Sequence, residues 1–549
     1  MKTKSKIFSL LLILVMILSM IPIVSLAEAQ EEPDWNSMEK YTFNWTTYFA
    51  SLPAEDAIII KKIEDRFNVD INMLPIEDSN FMEVLNTYIM GGDTPDVIRL
   101  KDPSMLITYV DQGVLGEINM DILRKYAPAL CASIDNYENG SYWNHGAIDG
   151  VQYAIPAVAP GNIFHLPAVY NKTWMDKVGV TEVPTTLEEF EELLRKFTFE
   201  DPDGDGKDNT YGIASDGLRQ LFGAYGINPG APDGRTDHSF YQIIDGEIQY
   251  AAATSQYKEA LKVANAWYEE GLIDPEFITG ENTGGYWAIS HSMVNHRIGT
   301  TVRGNYYHWT MPGAYLEYND QGELVDNLAG SVATEFLNAN PDEELVFGVP
   351  VEGPYGKGLK SWNMLSQFYL FSPEVTQDDD KFARVCAIMQ WMNRQYSEDP
   401  AIKEAYHIDI YGEEGDLWYW KDKEFNEAAV TEKYKEMYPE FTAVDAYGPN
   451  QWGPTVYVTP SIRLNQYAFS LGLDQDGIVN LVQFSLPKMS EYQTNLTNLK
   501  DQWMISFITG KKDVDADWDA YIAEMNASGL EKMTENVREW YASTQVEVN

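Results

Sequence analysis

YTFNWTTYFASLPAEDAIIIKKIEDRFNVDINMLPIEDSNFMEVLNTYIMGGDTPDVIRL, residues 41–100, switches between two hydrophobic periods. Tyr41–Tyr48 reads as a strand, and 54–67 as a helix with Ile59, Ile60, Ile63 and Phe67 on one face. Apolar residues then recur at 69, 71 and 73, the period of a strand. Residues 79–90 return to helical spacing through Phe81, Val84, Leu85 and Tyr88, and Gly91-Gly92 closes the run. A short apolar strand follows at 96–100. Strand–helix–strand–helix–strand predicts an α/β fold on a parallel sheet with right-handed crossovers. Ligands of such sheets bind beyond the carboxyl ends of the strands. That rule points to Asn44, Trp45 and Thr46 after the first strand, and to Arg99, Lys101 and Asp102 after the third.

Outward from this block the same reading continues. Residues 151–159 are extended and proline-punctuated. A helix is predicted over 187–197, where Thr186 and Glu189 have the spacing of a capping box. Directly behind it lies Asp-Pro-Asp-Gly-Asp-Gly-Lys-Asp-Asn-Thr-Tyr-Gly, residues 201–212. Alternating carboxylates on a Gly-kinked loop can converge on one hard cation, because Ca²⁺ takes six to eight oxygens at roughly 2.3–2.6 Å. The first half resembles an EF-hand loop with Gly206 at the turn, but the twelfth position is Gly212 and not a bidentate Glu. The candidate metal set is Asp201, Asp203, Asp205, Lys207, Asn209 and Thr210; the plainer alternative is an acidic surface turn. Further helices are predicted over 253–271, 381–394, 495–508 and, as a pair, within 515–539. A strand at 344–351 and one leading from Arg297 toward Trp309 complete the pattern.

The chain has 549 residues, more than one hydrophobic core holds, so two or three domains are expected. Its 84 acidic against 39 basic residues give a net charge of −45, a field that repels nucleic acid and anionic lipid. Fifteen Trp and 34 Tyr offer aromatic faces of the kind that stack on sugar rings in a cleft. Cys131 and Cys386 form no CxxC, and a disulfide between them is geometrically open from sequence.

Lys2, Lys4 and Lys6 precede an apolar run from Ile7 to Val24, then Ser25-Leu26-Ala27-Glu28-Ala29. This is the pattern of a secretory signal peptide, residues 1–29, with cleavage after Ala27 or Ala29. No cysteine follows the run to carry a lipid anchor, and the remaining sequence has no apolar stretch of about 18 residues. The expected product is secreted or cell-surface associated, with no transmembrane segment in the mature chain.

In this order the motifs resemble the family-1 extracellular solute-binding proteins of ABC importers, the relatives of maltose-binding protein. Gly92-Asp-Thr-Pro-Asp-Val-Ile98 looks like the family's Gly-Asp-x-Pro-Asp-Ile/Val-Ile segment, followed by Gly-Val-Leu at 113–115. Asp149-Gly-Val-Gln-Tyr-Ala-Ile-Pro156 and Val169-Tyr-Asn-Lys172 look like its passage from the first lobe into the second. Val183–Phe190 with Asp201–Gly212 is similar to the large oligosaccharide-binding branch, as is Tyr411-Gly-Glu-Glu-Gly415. The resemblance spans residues 40–545 and implies a two-lobe, type II periplasmic-binding-protein-like fold with a hinge. Its parts would be 38–160 (first lobe), 161–348 (second), 349–450 (first again) and 451–549 (second, C-terminal helices). The crossings would lie near 158–168 and 346–360. It implies a structural calcium ion in the acidic loop, an oligosaccharide ligand, an ABC transporter permease as partner, and a monomer.

Sugars need flat apolar faces and convergent hydrogen-bonding groups. The candidate contacts are Asn44, Trp45, Arg99 and Asp102 from the first lobe, and Trp287, Arg303 and Trp309 from the second. Trp362 after the second crossing and Trp452 in a Gly/Pro loop complete them. Trp174, Trp391, Trp503 and Trp540 sit in helical patterns and read as packing. No HExxH, nucleophile elbow or P-loop is present, so no enzyme is expected; a glycoside hydrolase would need a carboxylate pair that 84 acids cannot single out. A sensory module presenting its ligand to a receptor, or a binder of peptide or another solute, would share this sequence pattern.

Overall fold

A computed structural model describes residues 33–48, 58–76, 81–100, 105–136, 138–158, 164–230, 240–279, 290–312, 317–318, 324–325, 330–361, 365–394, 397, 399–423, 427–437, 462–482, 486, 489 and 491–544. Residues 1–29, expected to be a signal peptide, therefore lie outside the described residues, as do Asp102, Trp287, Trp362 and Trp452.

The first lobe opens as its periodicity predicts. Strand β1 (Tyr41–Tyr48), helix α1 (Ile58–Phe67), β2 (Val69–Ile76), α2 (Phe81–Gly91) and β3 (Val97–Leu100) follow one another. β1 pairs in parallel with β2, Tyr41 opposite Val69, and with β3 through Trp45 opposite Val97. Helix α3 (Pro128–Asp135) and strand β4 (Ala154–Val158) follow. The chain then passes to a second unit through β5 (Ala168–Asn171), α4 (Leu187–Phe199), α5 (Leu218–Ala224), α6 (Ser255–Glu270), β6 (Thr300–Thr301), α7 (Tyr306–Trp309), β7 (Leu345–Gly348) and β8 (Leu359–Ser361). It returns as β9 (Leu365–Phe371) and α8 (Asp379–Asn393), and crosses once more to α9 (Ile462–Ser470), β10 (Gly477–Val479), α10 (Gln493–Ile508), α11 (Val514–Ala527) and α12 (Leu530–Thr544).

The first-lobe sheet has the order β2-β1-β3-β9-β4, and β9 runs antiparallel to both its neighbours. The sheet is thus mixed, not wholly parallel as the first hundred residues suggest. The inserted strand comes from far along the chain, where local periodicity carries no information about its partners. The second sheet, β6-β5-β7, is antiparallel, with Thr301 opposite Val169 and Gly348 opposite Ala168.

Two separate hydrophobic cores mark two lobes. One gathers Phe43, Trp45, Phe67, Leu100, Val158, Phe371, Met392 and Trp418; the other gathers Leu166, Trp174, Phe197, Trp267, Trp309, Leu359, Phe507 and Val537. Val351 and Leu359 belong to the second core, and β8 pairs in parallel with β10 of that lobe. The return to the first lobe therefore falls between Ser361 and Leu365, not at 346–360, and the second-lobe segment extends past residue 348. Residues 349–358 carry no periodicity, so their core membership is invisible in the sequence.

The lobe-2 ends of the three crossings are tied together. The His165 N–H donates to the Leu473 carbonyl at 2.9 Å and the Leu166 N–H to the Lys360 carbonyl at 2.8 Å. Among the described residues no helix is long and apolar enough to cross a membrane.

Candidate functional site

The acidic loop leaves the C-terminal end of α4. That helix is held at its start by the predicted capping box: the Thr186 hydroxyl accepts from the Glu189 N–H, and the Glu189 carboxylate accepts from the Thr186 N–H. Asp201, Gly204 and Gly206 take left-handed backbone angles, φ 48°, 76° and 77°, which fold the loop on itself. Gly is the residue that adopts that region without steric cost. The fold brings one oxygen from each of Asp201, Asp203 and Asp205 within 4.8 Å of one another.

Three carboxylates at that spacing repel. Burial, then the adjacent Asp201 and Asp205, hold the Asp203 carboxyl above its ordinary pKa. Asp205 is held below its ordinary value, chiefly by Lys207, whose ammonium donates to it at 2.6 Å. Backbone N–H groups stiffen the turn: Gly206 donates to Asp201 at 3.2 Å, Asp205 to Asp203 at 3.2 Å and Lys207 to Asp205 at 2.8 Å. The Asn209 amide reaches Asp205 at 3.2 Å. The Thr210 hydroxyl is turned inward, donating to the Phe197 carbonyl at 2.9 Å, and its residue is buried. A hard-oxygen set of this kind fits Ca²⁺ or Mg²⁺ and not a soft metal.

The missing twelfth ligand has a steric reason. A Cβ built on Gly212 would stand 2.7 Å from the Leu194 Cβ and 3.0 Å from its Cα. The loop is pressed against α4 there and has no room for a glutamate stem. Beyond it the chain is anchored at once: Tyr211 N–H donates to the Arg297 carbonyl, Gly212 N–H to the Leu272 carbonyl, and Asp274 N–H to the Ile213 carbonyl. Arg297 and the buried Asp274 close this frame with two hydrogen bonds of 2.6 and 2.9 Å.

A second candidate region is formed by the strand ends that lie next to the crossings in each lobe. On the first lobe the carboxyl ends of β1, β3 and β4 and the start of β9 share one edge of the sheet, Leu365 lying opposite Val158. Arg99 lies near this edge and is buried; its Nε donates to the Gln367 side chain at 2.6 Å and its N–H to the Thr46 hydroxyl at 3.2 Å. Asn44 is exposed in the middle of β1, linked to Asn72 and, through its N–H, to Asp96 at 2.8 Å. Trp45 lies inside β1 and not after it. It shares the core face with Phe43, 0% exposed, and offers no free ring to a ligand.

On the second lobe, Ala168 opens β5 just after the first crossing, so the carboxyl ends of β6 and β7 point to the same rim. Arg303 stands beyond β6, yet it is enclosed: its Nη1 donates to Asp216 at 2.8 Å, and Asp216 also receives the Arg219 Nε at 3.2 Å. All three are at most 4% exposed. Trp309 is a core residue whose indole N–H donates to the Arg303 carbonyl, and it too presents no free face. Arg303 and Trp309 therefore support this rim from beneath.

Sequence reasoning does not single out what lies on top. Phe164 packs edge-on against Tyr306 at 5.3 Å and against Phe469 at 4.9 Å, with Ala468 and Leu473 completing a small buried cluster. These residues are hundreds of positions apart, and only the Tyr306-Tyr307 pair gave a local aromatic signal. Gln367 and Asp216 had no signal at all.

Residues 50–287 match the family model described as bacterial extracellular solute-binding protein. Over 287 residues the chain is 27% identical to lipoprotein LipO of Bacillus subtilis, covering 51% of this chain and 53% of that protein. Over 257 residues it is 29% identical to FusA of Streptococcus pneumoniae, named a fructooligosaccharide ABC transporter substrate-binding protein, covering 43% of this chain and 46% of that one. The chain thus spans about half the length of the curated relatives it matches. A solved FusA structure, titled an EF-hand mutant in complex with fructo-nystose, superposes with a TM-score of 0.57 at 19% identity, covering 92% of this chain and 99% of that one. An extracellular solute-binding protein from Bifidobacterium longum subsp. infantis superposes with 0.63 at 17% identity, covering 92% and 99%. These superpositions carry the fold: two-lobe solute-binding proteins.

Proposed function

We propose that the chain, whose residues 50–287 match the model for bacterial extracellular solute-binding proteins, captures an oligosaccharide between its lobes and delivers it to an ABC transporter permease. The observation that supports this reading is that a polar and an aromatic group of side chains lie at strand ends next to the crossings between two separate cores. The polar group is the buried Arg99, Gln367 and Thr46, joined by hydrogen bonds; the aromatic group is Phe164, Tyr306 and Phe469, of which Phe469 alone is exposed. A sugar would offer a C–H face to that exposed ring. Asp102, Trp287, Trp362 and Trp452 are proposed as further contacts, with Asn44 at the margin. Closing of the two lobes on the ligand is the hinge motion of periplasmic binding proteins.

The protein acts as a binder and not as an enzyme, as a monomer, exported through the Ile7–Val24 run. The acidic loop holds Ca²⁺ as a structural ion. Asp201, Asp203 and Asp205 supply the carboxylates, with Lys207, Asn209 and Thr210 closing the loop around them; the solved EF-hand mutant of FusA supports this assignment.

The test is a thermal-shift screen with and without Ca²⁺, against neutral and uronate-containing oligosaccharides, kestose and trigalacturonate among them. A ligand at a hundred times its Kd stabilises by about 2.7 kcal/mol. A sugar that raises Tm and is recovered unchanged supports the reading. A sugar consumed during the assay overturns the non-enzymatic assignment, and a panel without effect beside a peptide that binds overturns the substrate class.

A further inference from the structure

We propose that the ring contact between His145 and Trp540 is a latch behind the hinge that opposes closing of the lobes and so sets ligand affinity. The inference rests on the oligosaccharide reading above. The two rings lie 6.1 Å apart at 35°. Each is fixed to a different lobe. Trp540 is carried by α12, whose Met533 and Val537 are buried in the second core. The same helix is tied down by Thr534, 3.1 Å from the Tyr241 hydroxyl, and by Arg538, which donates to the Ile248 carbonyl at 3.0 Å. His145 is carried by the 3₁₀ segment Glu138–Gly146, whose Tyr142 and Trp143 belong to the first core. The Trp143 indole donates to Asp135 at 2.7 Å, and the Gln152 amide to the Trp143 carbonyl at 3.1 Å. Neither ring can follow the other when the lobes turn.

The place of the contact gives it a direction. In the first-lobe sheet, β2-β1-β3-β9-β4, strand β4 forms one edge. The first crossing leaves β4 after Val158, the second enters β9 at Leu365, and these two residues are partners across the strands. Both crossings therefore meet the sheet on its β4 side. Ligands of such sheets sit beyond the carboxyl ends of the parallel strands, here β1 and β3. The segment that carries His145 covers the edge that β4 does not share with β9. The Gly146 carbonyl accepts from the Tyr153 N–H at 2.9 Å, and the Ala154 carbonyl accepts from the Gln152 side chain at 2.6 Å. A Cβ on Gly146 would stand 2.3 Å from that Ala154 oxygen. The latch and the binding space thus lie on opposite sides of the crossings. A turn about the crossings that brings the lobes together over β1 and β3 draws them apart at β4. The contact therefore favours the open arrangement and competes with the ligand. Apparent affinity falls with the fraction of molecules able to close, and an aromatic pair shifts such an equilibrium by roughly twofold to tenfold.

The experiment compares wild type, W540A, W540F, H145A, the double variant H145A/W540A and the exposed control F199A, all in the full chain with Ca²⁺. Titration calorimetry uses whichever sugar of the panel raises the wild-type Tm most, starting with kestose. W540A and H145A, one on each lobe, are each expected to bind about threefold to tenfold tighter than wild type. The double variant is expected to bind no tighter than W540A, because both changes break one contact. W540F keeps a ring and is expected within about twofold of wild type, while F199A binds as wild type. Ligand-free melting temperatures establish that each variant is folded, and H145A carries the test if W540A does not fold. A contact that only held the fold together would lower Tm without tightening the sugar. Binding by H145A and W540A that equals wild type or is weaker overturns the latch and leaves the oligosaccharide reading standing. If no sugar of the panel binds wild type, the reading itself falls and the latch falls with it.

Discussion

The imidazole of His145 and the indole of Trp540 lie 6.1 Å apart, centroid to centroid, and 35° from parallel. His145 adjoins Tyr142 and Trp143 in the first core, whereas Trp540 belongs to the last helix and packs on the second. One ring contact thus joins the lobes well away from the crossings. Burial pushes the His145 pKa down to about 4. A histidine depressed from about 6.5 contributes stability in full above that value and loses it as pH falls toward 4, in all about 3 kcal/mol. Burial lowers His165 as well, so it adds in the same direction. The urea midpoint of wild type is expected to fall between pH 7 and pH 4.5, and H145Q to fall less steeply. Parallel pH profiles for the two proteins would contradict the assignment.

On the calcium assignment proposed above, the ion neutralises three converging carboxylates and so stabilises the acidic loop. Chelation is expected to lower Tm, and saturating Ca²⁺ at a hundred times its Kd to restore about 2.7 kcal/mol. Because the ligands bind in their ionised form, affinity weakens on acidification, and Asp203, already raised by burial, is the first to take a proton. D203N is expected to abolish most of the calcium-dependent shift while melting close to chelated wild type. A chelator that leaves wild-type Tm unchanged would sink the calcium assignment.

Restoring the missing glutamate does not improve the loop. G212E, and G212A alone, would force Leu194 and its backbone away from a Cβ otherwise 2.7 Å distant. Overpacking of this kind costs about 1–3 kcal/mol. Denaturant unfolding with Ca²⁺ present is the measurement; a G212E protein as stable as wild type would show that α4 yields.

Asp216 is the carboxylate between two buried guanidiniums. D216A leaves Arg219 and Arg303 facing each other at the rim, at an expected cost of about 3–5 kcal/mol. The cost is read by urea unfolding. A loss below about 1 kcal/mol would mean that water or another group takes over the charge.

The legible parts of the fold are those with a period. Tyr41–Tyr48 and the helix beginning at Leu187 follow from alternation and from Thr186 with Glu189, and the structure keeps both. The acidic loop was legible because its ligands are neighbours in sequence. The rims were not. Trp45 was expected after the first strand but lies inside Tyr41–Tyr48, two residues after Phe43 on the inward face. Arg303 and Trp309 lie beyond β6 but are buried, and the enclosure of Arg303 depends on Asp216, eighty-seven residues away. Phe469 carried no signal, because its exposure is set by Phe164 and Tyr306, which only the folded chain brings together.

The position of β9 imposes an order of events on synthesis. This strand sits in the middle of the first-lobe sheet, between β3 and β4, but is made about 265 residues after β3 and about 207 after β4. At about 5–20 residues per second, the two strands wait roughly 10–50 s with bare hydrogen-bonding edges. Exposed edges invite pairing with another chain. On the exported reading proposed above this delay is of use: the first lobe cannot close early inside the cell, and the nascent chain stays threadable until its centre has been delivered.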